Sequence, residues 1–374
     1  MTGDTRRERF EGIELLRFVL ALGVVFFHYY FWAPHEKLIQ FRPGSSALVY
    51  LMFGVEAFFA VSGFVIVLSA ANRRPLEFLI ARAARLGPTL LAASSVTLAL
   101  YFLLDVQPRV AGAGVEYFRS ILFFPLARLG SGLDPSLWSL TFEIRFYLLI
   151  FLCLCLFDVR RHSLRIGIGL LGYDLTRTVL PLMTGHPFPT HLDYFKDYAS
   201  FFVIGMLLYH RRANGRMGAV WIGALLAAVT LSAVRATRIL SDMYADTLHL
   251  GAVHLWQGAF VAVTILGVML RSLQPIRGPS LARAFRAVGR ASYPLYVVHQ
   301  LCGYWILNYF AQRWHISVDL RLPIIAGIVL VSLGYGNWLE PALIRLYRSV
   351  LTDATGIVVS LFPPRPVLGK SGAS

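Results

Sequence analysis

The sequence predicts an all-α, polytopic membrane bundle, and its composition, apolar stretches and charge distribution each lead to that fold class. Hydrophobic residues make up 57% of the 374 residues, charged residues make up 15%, and the mean hydropathy is +0.62. This composition is typical of polytopic membrane proteins and excludes an ordinary soluble domain. The net charge of +15 is spread in short groups beside apolar stretches. We therefore predict a lipid bilayer as partner, and no nucleic acid.

About ten transmembrane helices are predicted, because apolar stretches near the ~20 residues that cross a bilayer recur along the chain. They cover residues 12–32, 46–70, 86–104, 137–157, 164–183, 197–210, 217–234, 248–270, 290–311 and 322–344. An even number of spans places both termini on one side. Most of the 35 lysines and arginines fall at the termini and in the even-numbered loops, so the positive-inside rule predicts cytoplasmic termini. We assign residues 1–345 to one transmembrane domain and residues 346–374 to a short, loosely ordered cytoplasmic tail.

Cysteine and histidine positions give no disulfide or metal signature. The three cysteines lie within predicted spans, where packing is their expected role. His186, His191 and Asp193 share one predicted outer loop, but a zinc site needs a fourth ligand in a defined geometry. We therefore predict no metal.

Arg17 and His28 stand eleven positions apart in the first apolar stretch. Eleven residues turn an α-helix through about three full turns, so both side chains leave by the same face, roughly 16 Å apart along the axis. Ionisable side chains in a membrane span normally face a bundle interior or a cavity. We interpret this pair as functional. Glu14 falls near the same face and either joins the site or forms an i, i+3 ion pair with Arg17.

The second apolar stretch carries a single acid, Glu56, ahead of the small residues Ser62 and Gly63. Small residues permit close helix approach, so packing is their expected role. Glu56 either lines the cavity that holds Arg17 and His28 or pairs with a structural partner.

Arg82 and Arg85 precede the third apolar stretch at its predicted cytoplasmic end. Two arginines at i, i+3 lie close together on a helix and can bind phosphate oxygens through their planar guanidinium groups. The alternative is that they only flank a span under the positive-inside rule.

Ser139, Glu143 and Tyr147 recur every four residues in the fourth apolar stretch and form one inward-facing polar stripe. Ser139 could form a hydrogen bond between helices, whereas a buried Glu143 needs a hydrogen-bonding or charged partner. In the ninth stretch, His299 follows Pro294 on a predicted helix. It is either a hydrogen-bonded core histidine or a chemical participant.

Taken together, these segments resemble the acyltransferase 3 family of integral-membrane acyltransferases over about residues 12–345. The resemblance rests on five blocks that follow one another in the family's order: Arg17 with His28, Phe58–Phe64, Arg82 with Arg85, Trp138–Glu143, and Ser292–His299. Each block alone is a weak signal, and their order makes the resemblance specific.

The resemblance implies transfer of an acyl group, usually acetyl, from cytosolic acyl-CoA to a hydroxyl of an envelope or secreted carbohydrate or glycoconjugate. It implies His28 as the essential catalytic histidine, Arg17 as its functional partner, and Arg82 with Arg85 as ligands of the coenzyme phosphates. It also implies a bacterial plasma (inner) membrane as the location.

The chemistry of the residues agrees with that implication. Esterifying a hydroxyl from a thioester needs a base, and a neutral imidazole such as that of His28 suits this step, directly or through an acyl-histidine. We expect Arg17, Glu143 and Tyr147 to orient the imidazole and stabilise the oxyanion. Glu14, Glu56, Ser139 and His299 are candidates for the substrate cavity. The alternatives are a transporter or flippase whose buried charges line a conduit, and a receptor or scaffold. The sequence leaves the oligomeric state open.

Overall fold

The computed structural model describes residues 10–106, 112–121, 133–215, 217–245, 252–313 and 318–361, with side chains described to residue 355. The regular structure of these residues is helical and contains no strand. The predicted all-α class is confirmed.

Fourteen α-helices lie within the described residues. They are α1 Glu11–Phe27, α2 Ala33–His35, α3 Gly54–Ala70, α4 Pro75–Leu103, α5 Ala113–Ile121, α6 Trp138–Leu156, α7 Val159–Thr184, α8 Ala199–Asn214, α9 Ala219–Met243, α10 Leu255–Ser272, α11 Pro279–Val298, α12 Leu301–Arg313, α13 Arg321–Gly334 and α14 Glu340–Leu361. Two π-helical segments, His28–Trp32 and Tyr335–Leu339, join α1 to α2 and α13 to α14.

Seven helical segments of the described residues are long and apolar enough to cross a membrane. They are Glu11–His35, Ser46–Ala70, Pro75–Leu103, Pro135–Leu156, Ala219–Met243, Leu255–Ser272 and Arg321–Thr355. The protein is thus a multi-pass membrane protein. A total of ten spans and the side of the termini stay predictions, and residues 1–9 and 362–374 lie outside the described residues.

The predicted ninth span is broken in the structure. Helix α11 ends at Val298 and α12 begins at Leu301. The carboxylate of Asp134 accepts the backbone N–H of Leu301 at 3.1 Å, and the Tyr29 hydroxyl donates to the carbonyl oxygen of His299 at 2.8 Å. Because these partners satisfy freed backbone groups, the chain can leave the helix inside the bundle at His299.

Helices α3 and α8 form the tightest contact in the core. A Cβ atom at Gly63 would overlap the carbonyl oxygen of Phe202, and one at Gly205 would overlap that of Ala60. Glycine at both positions therefore lets the two backbones touch. The predicted packing role of Gly63 agrees with this contact. On the other side of the bundle, α1 packs along α11 and presents its polar residues to α4, α11 and α14.

Helix α4 begins at Pro75, well before the predicted span at residue 86, and continues through Pro88. Arg82 and Arg85 therefore lie within a continuous helix, as their predicted i, i+3 arrangement requires. Helix α14 likewise crosses the predicted boundary at residue 345 without a break and extends to Leu361. The first part of the predicted tail is thus helical.

Candidate active site

A basic cavity of about 380 Å³ lies between α1, α4, α11 and α14. Its wall contains five arginines and two glutamates and is completed by a proline and an isoleucine: Glu14, Arg17, Arg85, Arg290, Glu340, Pro341, Ile344, Arg345 and Arg348. Positive charge exceeds negative charge in this wall, and a site of that kind favours an anionic ligand. The sequence predicts that this end of α1 is cytoplasmic.

A second, smaller cavity of about 50 Å³ lies between α1, α3, α6 and α11, and we call it the inner cavity. It is lined by Arg17, Val55, Phe58, Phe59, Ser62, Ser139, Leu140, Glu143, Ser292, Tyr293 and Tyr296. Ser139 lies 2.7 Å from the Tyr296 hydroxyl. The structure thus brings together Arg17, Ser139 and Glu143, three of the residues that the sequence singled out.

Arg17 is in the wall of both cavities. Its guanidinium lies 3.8 Å from the carboxylate of Glu14, which is one of the two roles expected for that acid. Tyr293 also connects the two cavities, because it lines the inner cavity and its ring lies under the guanidinium of Arg85 at 5.4 Å. Arg17 and Tyr293 therefore lie between the basic cavity and the inner cavity.

His28 faces His299 across the break between α11 and α12. The two imidazole rings have centroids 5.0 Å apart, and Nδ1 of His28 lies 3.1 Å from the Tyr304 hydroxyl. The ring of Tyr296, which lines the inner cavity, lies 5.8 Å from that of His299. The Tyr296 ring therefore links the histidine pair to the inner cavity, whereas His28 and His299 are not in the wall of that cavity. His28 also begins a π-helical segment, a local distortion that is frequent at functional sites.

The hydrogen bond of His299 assigns its tautomer. The Nδ1 atom of His299 lies 2.7 Å from the carbonyl oxygen of Tyr296. Since a carbonyl only accepts, Nδ1 carries the proton and Nε2 is an acceptor. That Nε2 is buried and has no hydrogen-bond partner among the described residues. The Tyr304 hydroxyl lies 3.1 Å from Nδ1 of His28 and 3.3 Å from the carbonyl oxygen of His28, and its single proton can be donated to either acceptor.

Glu143 and Tyr147 are hydrogen-bonded to each other. Tyr147 donates to Glu143 at 2.5 Å, and the guanidinium of Arg82 lies 5.9 Å from the Tyr147 ring. Arg82 also donates to the Ser69 hydroxyl at 3.1 Å. The imidazole of His28 instead contacts Tyr304, His299 and Phe27 within the described part of the chain. The sequence expected Glu143 and Tyr147 to orient the imidazole, whereas the structure gives that contact to Tyr304.

Arg82 and Arg85 have different environments although they lie one turn apart on α4. Arg85 lines the basic cavity and donates to the buried carboxylate of Glu340 at 2.5 Å, which also accepts from Thr89 at 2.9 Å. Arg82 lines neither of the two cavities described above. The i, i+3 spacing alone could not show this, because residues on one helix face can meet different neighbouring helices.

Glu56 is buried beside the segment that leads into α8, where it interacts with Asp197 and Tyr198. It lines neither the basic cavity nor the inner cavity. Its Oε2 atom has no hydrogen-bond partner among the described residues. The sequence left open whether Glu56 lines the cavity or pairs with a structural partner. The structure places Glu56 outside both cavities.

Sequence reasoning missed Tyr304, because one tyrosine in an apolar stretch carries no distinguishing signal. It read Arg345 and Arg348 only as markers of topology. Their pattern did hold a signal, since Pro341, Ile344, Arg345 and Arg348 follow the i, i+3, i+4, i+7 spacing of one helix face. All four line the basic cavity.

A separate ion-pair cluster joins α7, α9 and the segment before α8. Arg177 donates to Asp193 at 2.6 Å and to Asp197 at 2.7 Å, and Arg235 donates to Asp174 at 2.6 Å. Asp193, which the sequence considered as a weak metal ligand, is thus the partner of an arginine. Among the described residues, no group of three or more histidine, cysteine, aspartate or glutamate side chains is placed to hold a metal ion.

The model of the acyltransferase 3 family, an acyltransferase domain, matches residues 10–336. No curated protein and no solved structure matches the chain. The family match includes α1 to α13, and with them His28, His299 and the inner cavity. The chain therefore belongs to the acyltransferase 3 family and is an integral, multi-pass membrane acyltransferase.

Proposed function

We propose that this protein transfers an acetyl group from cytosolic acetyl-CoA to a hydroxyl of an envelope or secreted carbohydrate or glycoconjugate, with His28 as the base. The observation that carries this proposal is the position of Arg17 in the wall of both cavities. A donor held in the basic cavity can extend its reactive end past Arg17 toward His28. Arg17 on α1 and His28, the first residue of the π-helical segment that continues it, stand eleven positions apart, which is roughly 16 Å along the axis.

The geometry of His28 supports its role as base. In the proposed state, Nδ1 carries the proton and donates to the Tyr304 hydroxyl 3.1 Å away, so that Nε2 carries the lone pair. Nε2 takes the proton of the acceptor hydroxyl while that oxygen attacks the thioester carbonyl. The tetrahedral intermediate then expels the coenzyme thiolate, which receives the proton from the imidazolium. The resulting products are the ester and free coenzyme A.

The size of the inner cavity supports a short acyl group. Its volume is about 50 Å³, and the rings of Phe58, Phe59 and Tyr296 are in its wall. A long acyl chain would need these rings to move, and well-packed interiors resist such changes. Acetyl is therefore the donor group that we propose. The carbohydrate acceptor and a bacterial plasma membrane rest on the family resemblance.

The test uses purified protein reconstituted in lipid nanodiscs, with radiolabelled acetyl-CoA and a pooled envelope-glycan extract. We expect label on glycan with wild-type protein and a loss of about 10²- to 10⁴-fold in rate with His28→Gln, the range for removal of a general base. Tyr296→Phe is not a neutral control because it lines the inner cavity, whereas the remote, exposed His186→Gln is a suitable one. If folded wild-type protein moves a solute across the membrane without any acyl donor, the protein is a transporter and the proposal is wrong.

Trapping distinguishes the direct route from an acyl-histidine. Wild-type protein that is incubated with labelled donor and no acceptor, and then denatured rapidly at neutral pH, should carry no label on His28 under the direct mechanism. Label on the peptide that contains His28 would replace it with the covalent mechanism.

A further inference from the structure

The arginines of the basic cavity divide into a paired group at its base and an unpaired group at its mouth. At the base, Arg85 donates to Glu340 at 2.5 Å and Arg17 lies 3.8 Å from Glu14. At the mouth, Arg290, Arg345 and Arg348 are exposed. Within the described residues, none of these three forms an ion pair, and we call them the mouth arginines.

Arg290 is held in place by the π-helical segment between α13 and α14. It donates to the side chain of Asn337 at 3.5 Å, and Asn337 in turn donates to the carbonyl oxygens of Ala287 and Leu333 at 2.9 Å each. A Cβ atom at Gly336 would crowd the carbonyl oxygen of Arg290. The backbone of α11 and the π-helical segment thus fit closely at this point, which fixes the origin of the Arg290 side chain beside α14.

Arg345 and Arg348 extend the same surface from α14. Spaced i, i+3, they lie close together on one helix face with Pro341 and Ile344. Guanidinium groups are suited to phosphate because their planar array of donors matches its oxygens. Three cations without carboxylate partners around the mouth of a cavity of about 380 Å³ favour a ligand with several phosphate charges.

We propose that the mouth arginines Arg290, Arg345 and Arg348 hold the phosphates of the acyl donor, with the Arg85–Glu340 pair forming the base of the site. This inference rests on the proposed function and assigns its phosphate site to α11 and α14 rather than to the Arg82 and Arg85 spacing on α4. The charge of Arg85 is already neutralised by Glu340, and Arg82 lies outside the basic cavity. Arg345 and Arg348 also lie beyond residues 10–336, the segment that matches the family model.

Phosphate recognition could also come from the headgroup of an anionic lipid, and the experiment separates the two sources. Wild type and the double variant Arg345→Gln/Arg348→Gln are compared in nanodiscs of zwitterionic lipid and in nanodiscs that contain phosphatidylglycerol. Transfer is measured with acetyl-CoA and with S-acetylpantetheine, which lacks the phosphates. The matched control is Arg277→Gln/Arg283→Gln, which removes two exposed arginines outside the basic cavity.

We expect the ratio of the two KM values, acetyl-CoA over S-acetylpantetheine, to rise about tenfold or more in the mouth variant in both lipids, because each lost contact to a charged group weakens binding strongly. The control variant should keep the wild-type ratio. An unchanged ratio in the mouth variant would overturn the inference. A defect that is equal for both donors and present only with phosphatidylglycerol would overturn it in favour of a lipid headgroup.

Equilibrium binding of radiolabelled coenzyme A keeps this inference distinct from the proposed function. If wild type binds coenzyme A and the mouth variant binds it at least tenfold more weakly, the phosphate site stands even where glycan transfer fails. If wild type transfers acetyl and both proteins bind coenzyme A equally, the phosphate site falls and the proposed function stands.

Discussion

The mouth arginines and the ion-pair cluster use the same side chain in opposite ways. In the ion-pair cluster, the side chains of Arg177 and Arg235 are only 8% and 3% exposed, and each has a carboxylate within 2.7 Å. The mouth arginines are exposed and have no carboxylate partner among the described residues. A buried charge is costly unless it is paired, whereas an exposed cation beside a cavity is solvated and can bind an anionic ligand. Pairing therefore separates the arginines that stabilise the fold from those that we propose to bind the acyl donor.

The largest effect in this comparison is expected when the ion-pair cluster loses one member. Asp174→Asn removes the carboxylate that accepts both Nε and Nη2 of Arg235, at 3.0 and 2.6 Å. Among the described residues, it leaves the buried guanidinium with only the more distant carboxylate of Asp197, at 3.3 Å, so we expect a loss of about 3 kcal/mol in the free energy of unfolding. Thermal unfolding of purified protein in detergent measures the change, and the KM for acetyl-CoA of the folded fraction should stay at the wild-type value.

Arg238→Gln is the matched control for that variant. Arg238 is 59% exposed and lies 3.9 Å from Asp197 in the same cluster, so its removal should cost less than about 1 kcal/mol. Equal destabilisation by the two variants would show that burial does not decide the value of these pairs. A rise in KM for Asp174→Asn alone would assign the cluster a role in substrate binding and break the comparison.

Most of the fold could be predicted from the sequence, because helices that insert into a bilayer need long apolar stretches. Long apolar stretches predicted the helices, and the cost of burying Arg17 and His28 predicted that these residues would face the interior. The break at His299 was not predictable, because it depends on the side chains of Asp134 and Tyr29, which reach it from elsewhere in the chain. Local patterns record what a segment prefers, and such tertiary hydrogen bonds override the preference.

The features of the candidate site likewise divide into those that the sequence could predict and those that it could not. Helical spacing placed Ser139, Glu143 and Tyr147 in one stripe of one helix, and Ser139 and Glu143 line the inner cavity whereas Tyr147 does not. It could not show that Arg82 and Arg85 meet different partners, or that Arg345 and Arg348 of α14 meet Arg17 of α1 in one cavity wall. Contacts between helices depend on packing across the bundle, which a single sequence does not encode by spacing.

An intermediate effect is expected at Glu340, because its carboxylate both pairs with Arg85 and lines the basic cavity. Glu340→Gln leaves Arg85 without its carboxylate and turns a paired arginine into an unpaired one. The free energy of unfolding should fall by about 1–3 kcal/mol, because a hydrogen-bonded charge loses its partner. The basic cavity at the same time gains positive charge, so the KM for acetyl-CoA should fall by about two- to tenfold.

Both quantities are measured on one preparation in nanodiscs, beside Glu116→Gln as control. Glu116 pairs with Arg119 on α5 and lies outside both cavities, so its substitution should leave the KM unchanged. A KM that rises in Glu340→Gln would mean that Arg85 needs Glu340 to be held in a binding position. Unpaired charge alone would then no longer identify the substrate arginines.

The smallest effect is expected at Asp319, which lies outside the membrane-spanning segments and gives the partly exposed case. Hydrogen bonds from Arg321, at 2.6 Å from Nη2 and 2.9 Å from Nε, hold the pKa of the Asp319 carboxyl below its usual range. Because the folded-state pKa is lowered, the pair stabilises the protein above the unfolded pKa of about 3.9, and this stability is lost as the pH falls through the folded-state value. Asp319→Asn should therefore cost less than about 1 kcal/mol between pH 5 and 8, since the carboxylate is 45% exposed.

Unfolding of the wild-type and Asp319→Asn proteins, measured from pH 3 to 8, should show their free energies of unfolding converging below about pH 4. A difference that grows as the pH falls would contradict this sign and remove Asp319 from the paired class.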